Sequence, residues 1–221
     1  MGQSMSSSSA RTVIVTTPWE VNQQLAELGL TTEIVRQVAH AAAAARAESL
    51  AVDPSFTGGM LSFIYGVRSM RLKLLPLGWE IRRAGNVEAT VNDEINVQLF
   101  FQNVDRACGP ADPMAVSGKG AAARDLVNSG QSDLFEGLLD ITKPDDDHDN
   151  SPVVWLLCVS SDDSSVCAEV SCPEPFEGTQ FQGFSKRIFV LNEPREPSPD
   201  PRRKSDSQEL DFEIAVTKKS A

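Results

Sequence analysis

The sequence predicts an α+β fold, with N-terminal helices packed on a mostly antiparallel β-sheet, and three observations predict it. Apolar residues recur at helical spacing through residues 17–76. Beyond Pro76 the pattern becomes that of short strands separated by turn pairs. Late in the chain, Val153 to Val159 forms a nearly unbroken apolar run, as expected of a strand covered on both faces.

The elements follow in order. Residues 1–16 read as a Ser-rich flexible tail ending in a short β-branched strand between Arg11 and Thr16. Thr17 has the chemistry of an N-cap, Pro18 fits the first helical position, and Glu20 completes a capping box. Gly29 ends this helix, and Thr31 or Thr32 caps the next, whose inner positions are Ile34, Val35, Val38, Ala41, Ala42 and Ala45. Asp53-Pro54 stops it, and Gly58-Gly59 reads as a flexible turn. From Met60 to Leu75, Leu61, Ile64, Val67, Met70, Leu74 and Leu75 mark a further amphipathic helix that Pro76 closes.

Strand-like runs at 79–82, 88–91 and 95–104, parted by Gly85-Asn86 and Asn92-Asp93, predict an antiparallel meander. A Gly-, Pro- and Ala-rich loop at 105–120 leads to two short helical pieces near 121–128 and 133–139. The strand at 153–159 turns at 160–165 and returns at 166–172, which would set Cys158 opposite Cys167. One more strand lies within 181–192. The organisation predicted is a single domain over 17–192, helical to 76 and sheet-rich from 77, with a Pro-rich linker at 193–209. Alternating Leu210, Phe212, Ile214 and Val216 predict a closing edge strand at 210–219.

The 221 residues are 41% apolar and 23% charged, enough to bury a core without staples and unlike a disordered, collagenous or coiled-coil chain. Net charge is −11, which argues against non-specific coating of nucleic acid. Residues 1–85 carry eight basic and six acidic side chains, so the negative charge resides in the later part. No stretch approaches the roughly 18 apolar residues of a membrane span, and the polar front lacks a signal pattern, so a cytoplasmic location and no membrane partner are expected. The four cysteines are expected to be reduced thiols.

Several groupings have chemistry to offer. Arg68, Arg71, Lys73, Arg82 and Arg83 form a basic cluster able to face an anion or nucleic acid, though a solvated helix face or pairing with the acidic half is the commoner fate of such residues. Ser117-Gly118-Lys119-Gly120 resembles a phosphate loop but lacks the earlier glycine and the following Ser or Thr, leaving Lys119 as an incidental anion ligand. Asp145, Asp146, Asp147, His148 and Asp149 are hard metal-ligand types without EF-hand spacing, and a solvated turn is the simpler account. The helix pair about Gly29 has a loose helix-turn-helix outline, with Glu33, Arg36, Gln37 and His40 on its exposed side. Cys108 precedes Gly109-Pro110 without a histidine in any nucleophile-activating context, and the cysteine spacings are not those of a closed zinc site.

The segments 25–30 with 32–38, 53–59, 72–79 (containing L-x-P-x-G-W), 103–105 with 117–120, and 184–188 (aromatic-x-x-R-I) together resemble a loosely defined group of uncharacterised bacterial proteins. That resemblance implies a bacterial or mobile-element accessory protein and no particular activity or cofactor. Since no grouping above outweighs its simpler account, the expectation is a non-enzymatic accessory or interaction protein of a bacterial mobile element or a defence or counter-defence locus, binding a protein partner through its charged surface. A DNA-associated regulator using the front helices or the basic cluster is one alternative, and a metal-dependent hydrolase built on the acidic loop is another.

Overall fold

The computed structural model describes residues 12–84, 87–118, 120–136 and 152–194. They form α1 (Pro18–Glu27), α2 (Thr32–Ala47), α3 (Thr57–Leu74) and α4 (Ala121–Glu136) with strands β1 (Val13–Val15), β2 (Glu80–Ala84), β3 (Val87–Asn92), β4 (Val97–Asn103), β5 (Val153–Ser161), β6 (Ser165–Pro173) and β7 (Phe184–Pro194). The strands make one seven-stranded sheet in the order β1-β7-β6-β5-β4-β3-β2, so the α+β expectation holds. Two pairings, β1 with β7 and β4 with β5, are parallel; the other four are antiparallel.

Each sheet face carries its own core. On β5, Trp155, Leu157 and Val159 point to the face covered by α1, α2 and α3, whereas Val154, Leu156 and Cys158 point to the face covered by α4. Alternation with both sides buried is what makes the run at 153–159 continuously apolar. The helix N-termini obey local chemistry in part. Thr31 Oγ1 accepts from Ile34 N at 3.1 Å, a working N-cap. Thr17 is also an N-cap residue with Pro18 after it, but its side chain makes no capping bond, so the expected capping box does not form.

Four further expectations are corrected. Gly58 and Gly59 lie inside the first turn of α3 rather than in a turn before it. The two short helices are one, because nothing in 129–132 breaks the backbone pattern and α4 runs through to Glu136. Cys158 pairs with Glu169, and Cys167 with Ser160. The hairpin is tighter than a six-residue loop because Asp162 Oδ1 accepts from the backbone N–H groups of Ser164 and Ser165, both at 2.8 Å. Hydrogen bonds from the Ser164 side chain and backbone, then from Ser165, hold the Asp162 carboxyl down at about pKa 2. Finally, Glu193 and Pro194 belong to β7 rather than to a linker. The predicted strand at 210–219 lies outside the described residues.

The inner face of α3 differs from the expected one. Its buried residues are Ser62, Gly66, Val67, Met70 and Leu74. Ser62 and Gly66, four apart, form a small-residue seam against β4: Ser62 Oγ donates to Asn103 Oδ1 at 2.7 Å, and a Cβ on Gly66 would sit 2.4 Å from two ring carbons of Phe101. Close approach of α3 to the sheet rotates Ile64 outward and leaves Leu61 only half-buried.

Candidate functional site

The most polar feature of the interior is an ion pair between strands β6 and β7. Arg187 Nε and Nη2 donate to the two oxygens of Glu169, each at 2.8 Å, with the side chains 1% and 0% exposed. Ser171 Oγ adds a bond to Glu169 at 2.8 Å, and Arg187 Nη1 donates to Ala111 O at 3.0 Å. The Cys108 N–H donates to Glu169 Oε2 at 2.5 Å. Burial pulls the Arg187 pKa down, but bonding to Glu169 and the nearby Asp112 carboxylate outweigh it and hold it above its usual value. This centre ties the loop at 105–112 onto the sheet, and its partners are mutually saturated, which marks a structural anchor.

Cys108 stands at φ 56 in that loop, and its thiol proton is shared between Ala168 O at 3.2 Å and Leu191 O at 3.3 Å. Burial first, then the charges of Glu169 and Cys167, push this thiol up to about 12, opposite to what a nucleophile needs. Burial raises Cys167 as well, and all four cysteines are free thiols. Among the described residues no group of three or more His, Cys, Asp or Glu is placed to hold a metal ion. Asp145, Asp146, Asp147, His148 and Asp149 lie outside the described residues, as does Lys119. The neighbours of Lys119, Gly118 and Gly120, border a hollow of about 380 Å³ between Phe63, Phe101 and Phe181, where β3 parts from β4 beyond the Thr90–Leu99 pair.

The basic cluster is not a single patch. Arg71 Nη2 reaches Glu88 at 2.7 Å and Arg83 Nε reaches the same carboxylate at 3.2 Å, while Arg82 pairs with Asp93 at 2.9 Å. Glu88 is correspondingly shifted down, chiefly by its hydrogen bond with Arg71. Lys73 is half-buried on α3, and Arg68 lies over the ring of Tyr65 at 4.7 Å. The pairings form only on folding, since Glu88 sits on β3 and Asp93 in the turn that follows it. At the front helices, Arg36 and His40 both turn to Glu193, at 2.7 and 3.4 Å. Helix α2 buries Val35, Val38, Ala39, Ala42, Ala43 and Ala45, which leaves a narrow outer strip of Glu33, Gln37, His40, Ala44 and Ala47.

A further surface feature is apolar. The side of α3 that looks away from the sheet carries Met60 (52% exposed), Ile64 (42%), Tyr65 and Leu72 (69%), with Leu75 continuing the strip beyond the helix end and Arg68 at its centre. A solvent-side helix strip should be polar; a helix apolar all round is one that expects cover on both sides. Phe56 at the N-cap extends the same strip by one turn. These side chains add up to the few hundred Å² at which an exposed apolar patch marks an interaction surface. No helix of the described residues is long and apolar enough to cross a membrane. Comparison with known proteins finds no matching family model, curated protein or solved structure.

Proposed function

We propose that this is a non-enzymatic interaction protein that docks on a protein partner through the outer face of α3. The observation that carries the reading is the apolar strip Phe56, Met60, Ile64, Leu72 and Leu75, exposed on a helix whose opposite side is already packed on the sheet. The charged surface expected to serve this role is largely paired within the chain, through Glu88, Asp93 and Glu193. The bacterial or mobile-element accessory role that the resemblance implies would supply such a partner.

Arg68 specifies the partner. It lies near the midpoint of the strip, held over Tyr65, so a second copy packed antiparallel about a two-fold axis would bring Arg68 against its own equivalent. Like charges in a desolvating contact oppose that arrangement. The complementary occupant is an amphipathic helix with an Asp or Glu in the middle of its apolar face, the i, i+4, i+7 mode of groove recognition. Fluorescence anisotropy with three fluorescein-labelled helical peptides of one apolar face, carrying Glu, Gln or Lys at its centre, tests this. The Glu peptide is expected to bind about tenfold more tightly than the Lys peptide, and Arg68→Glu is expected to reverse the order. No binding of any of the three, or sedimentation showing self-association through this face, contradicts the docking reading; equal binding of all three contradicts the acidic preference.

A further inference from the structure

We infer that the polar cleft at the carboxyl ends of β4, β5 and β7 is a binding site for a small ligand bearing a phosphate or carboxylate group. The cleft encloses about 550 Å³ between Asn103, Ser161, Asn192 and the loop at 104–109, the size range of small-molecule sites. Its position has a topological cause: β4 and β5 are parallel, β7 runs the same way across β6, and ligands of sheets with parallel neighbours collect beyond the carboxyl ends of the strands.

The walls are set before any ligand arrives. Ser160 Oγ accepts from Ala107 N at 2.9 Å, Asp105 Oδ1 accepts from Arg106 N at 2.7 Å and Met114 N at 2.8 Å, and the Glu169–Arg187 pair fixes Cys108 from below. Cys108, left-handed at φ 56 without being glycine, is backbone strain lodged at the cleft wall. Both cleft acids are occupied with backbone N–H groups, Asp105 as above and Asp162 in the hairpin turn. Two guanidinium groups are not. Arg46 and Arg106 line the cleft, and among the described residues neither side chain has a hydrogen bond or ion pair with the protein; the same holds for the Ser161 hydroxyl. The Arg46 stem lies against Gly58, where a Cβ would meet its Cγ at 3.4 Å, so the head is delivered to the cleft by packing against α3. Two planar donor forks and a hydroxyl are an oxyanion donor set, while Oδ1 of each cleft acid is turned to backbone N–H groups rather than to the arginines.

Thermal unfolding of the full chain in sodium phosphate, sodium citrate and sodium chloride at matched ionic strength tests the inference. A saturable rise in Tm with phosphate, with citrate or with both, above the chloride control, is expected, and the responding anion tells phosphate from carboxylate. Arg46→Gln with Arg106→Gln, both outside the core, is expected to melt as the parent does in chloride and to need about tenfold more anion for half the rise. Arg82→Gln, remote from the cleft, is expected to respond as the parent does. Absence of a saturable rise with either anion, or an unchanged response in the double variant, overturns the inference.

Discussion

Arg187→Met is expected to destabilise the protein by about 3–5 kcal/mol, because it strands a carboxylate in the interior. Glu169 is 0% exposed and accepts two bonds from Arg187, one from Ser171 and one from the Cys108 backbone. Without the guanidinium, the remaining donors are neutral and the charge has no counterion. For a chain of this length the loss corresponds to a fall in Tm of roughly 10 °C, at about 2–4 °C per kcal/mol, measurable by calorimetry or urea unfolding. The double change Arg187→Met with Glu169→Leu removes both charges together and is expected to recover most of the deficit, since apolar replacement of a whole buried pair is often close to neutral. A double variant no more stable than Arg187→Met would show that the loop at 105–112, not the ion pair, dominates. This cycle also reports on the cleft above, whose wall the pair holds from beneath.

The second large effect concerns Gly66. In an exposed helix, Gly→Ala gains up to about 1 kcal/mol. Here the new methyl would stand 2.4 Å from Phe101 Cε2 and Cζ and 2.7 Å from Cε1, with the ring itself 3% exposed. The clash cannot be relieved by a flexible side-chain end, so α3 must move away from β4 or the ring must leave its place, at about 1–3 kcal/mol. Gly66→Ala is therefore expected to destabilise, against its helix propensity. In a Phe101→Leu background the same substitution is expected to become neutral or stabilising, because the obstructing ring atoms are gone. Urea unfolding of the four proteins decides it: destabilisation of equal size in both backgrounds would contradict the close contact.

Most of the fold was legible because its signals are local. The apolar run at 153–159, the Thr31 cap and Pro18 at the start of α1 each report a short-range constraint that the structure keeps. The L-x-P-x-G-W segment is structural in the same sense: Gly78 takes φ 85 to end the helical turn at 75–77 and delivers Trp79, 3% exposed, into the core. The errors share a cause as well. Periodicity assigns large apolar residues, Leu61, Ile64 and Leu75 among them, to the inside, while the real seam is built of Ser62 and Gly66. Glu169 and Arg187 are not singled out by the sequence, because only the pairing of β6 with β7 brings them together in the interior. Spacing alone made five basic residues a cluster, and only the fold shows Glu88 and Asp93 between them. The candidate interface on α3 was thus hidden by the same rule that found the helix.

Site-specific photocrosslinking in the native host tests the docking account most directly, with benzoylphenylalanine placed at Leu72 on the outer face of α3 and, for contrast, at Met114, an exposed apolar residue elsewhere on the surface. The account predicts one dominant adduct from position 72, lost when Ile64→Glu is added although the melting temperature is unchanged, and joined to the partner at a helix with an acid in its apolar face. Adducts that are the same from positions 72 and 114, or none from position 72, would contradict it.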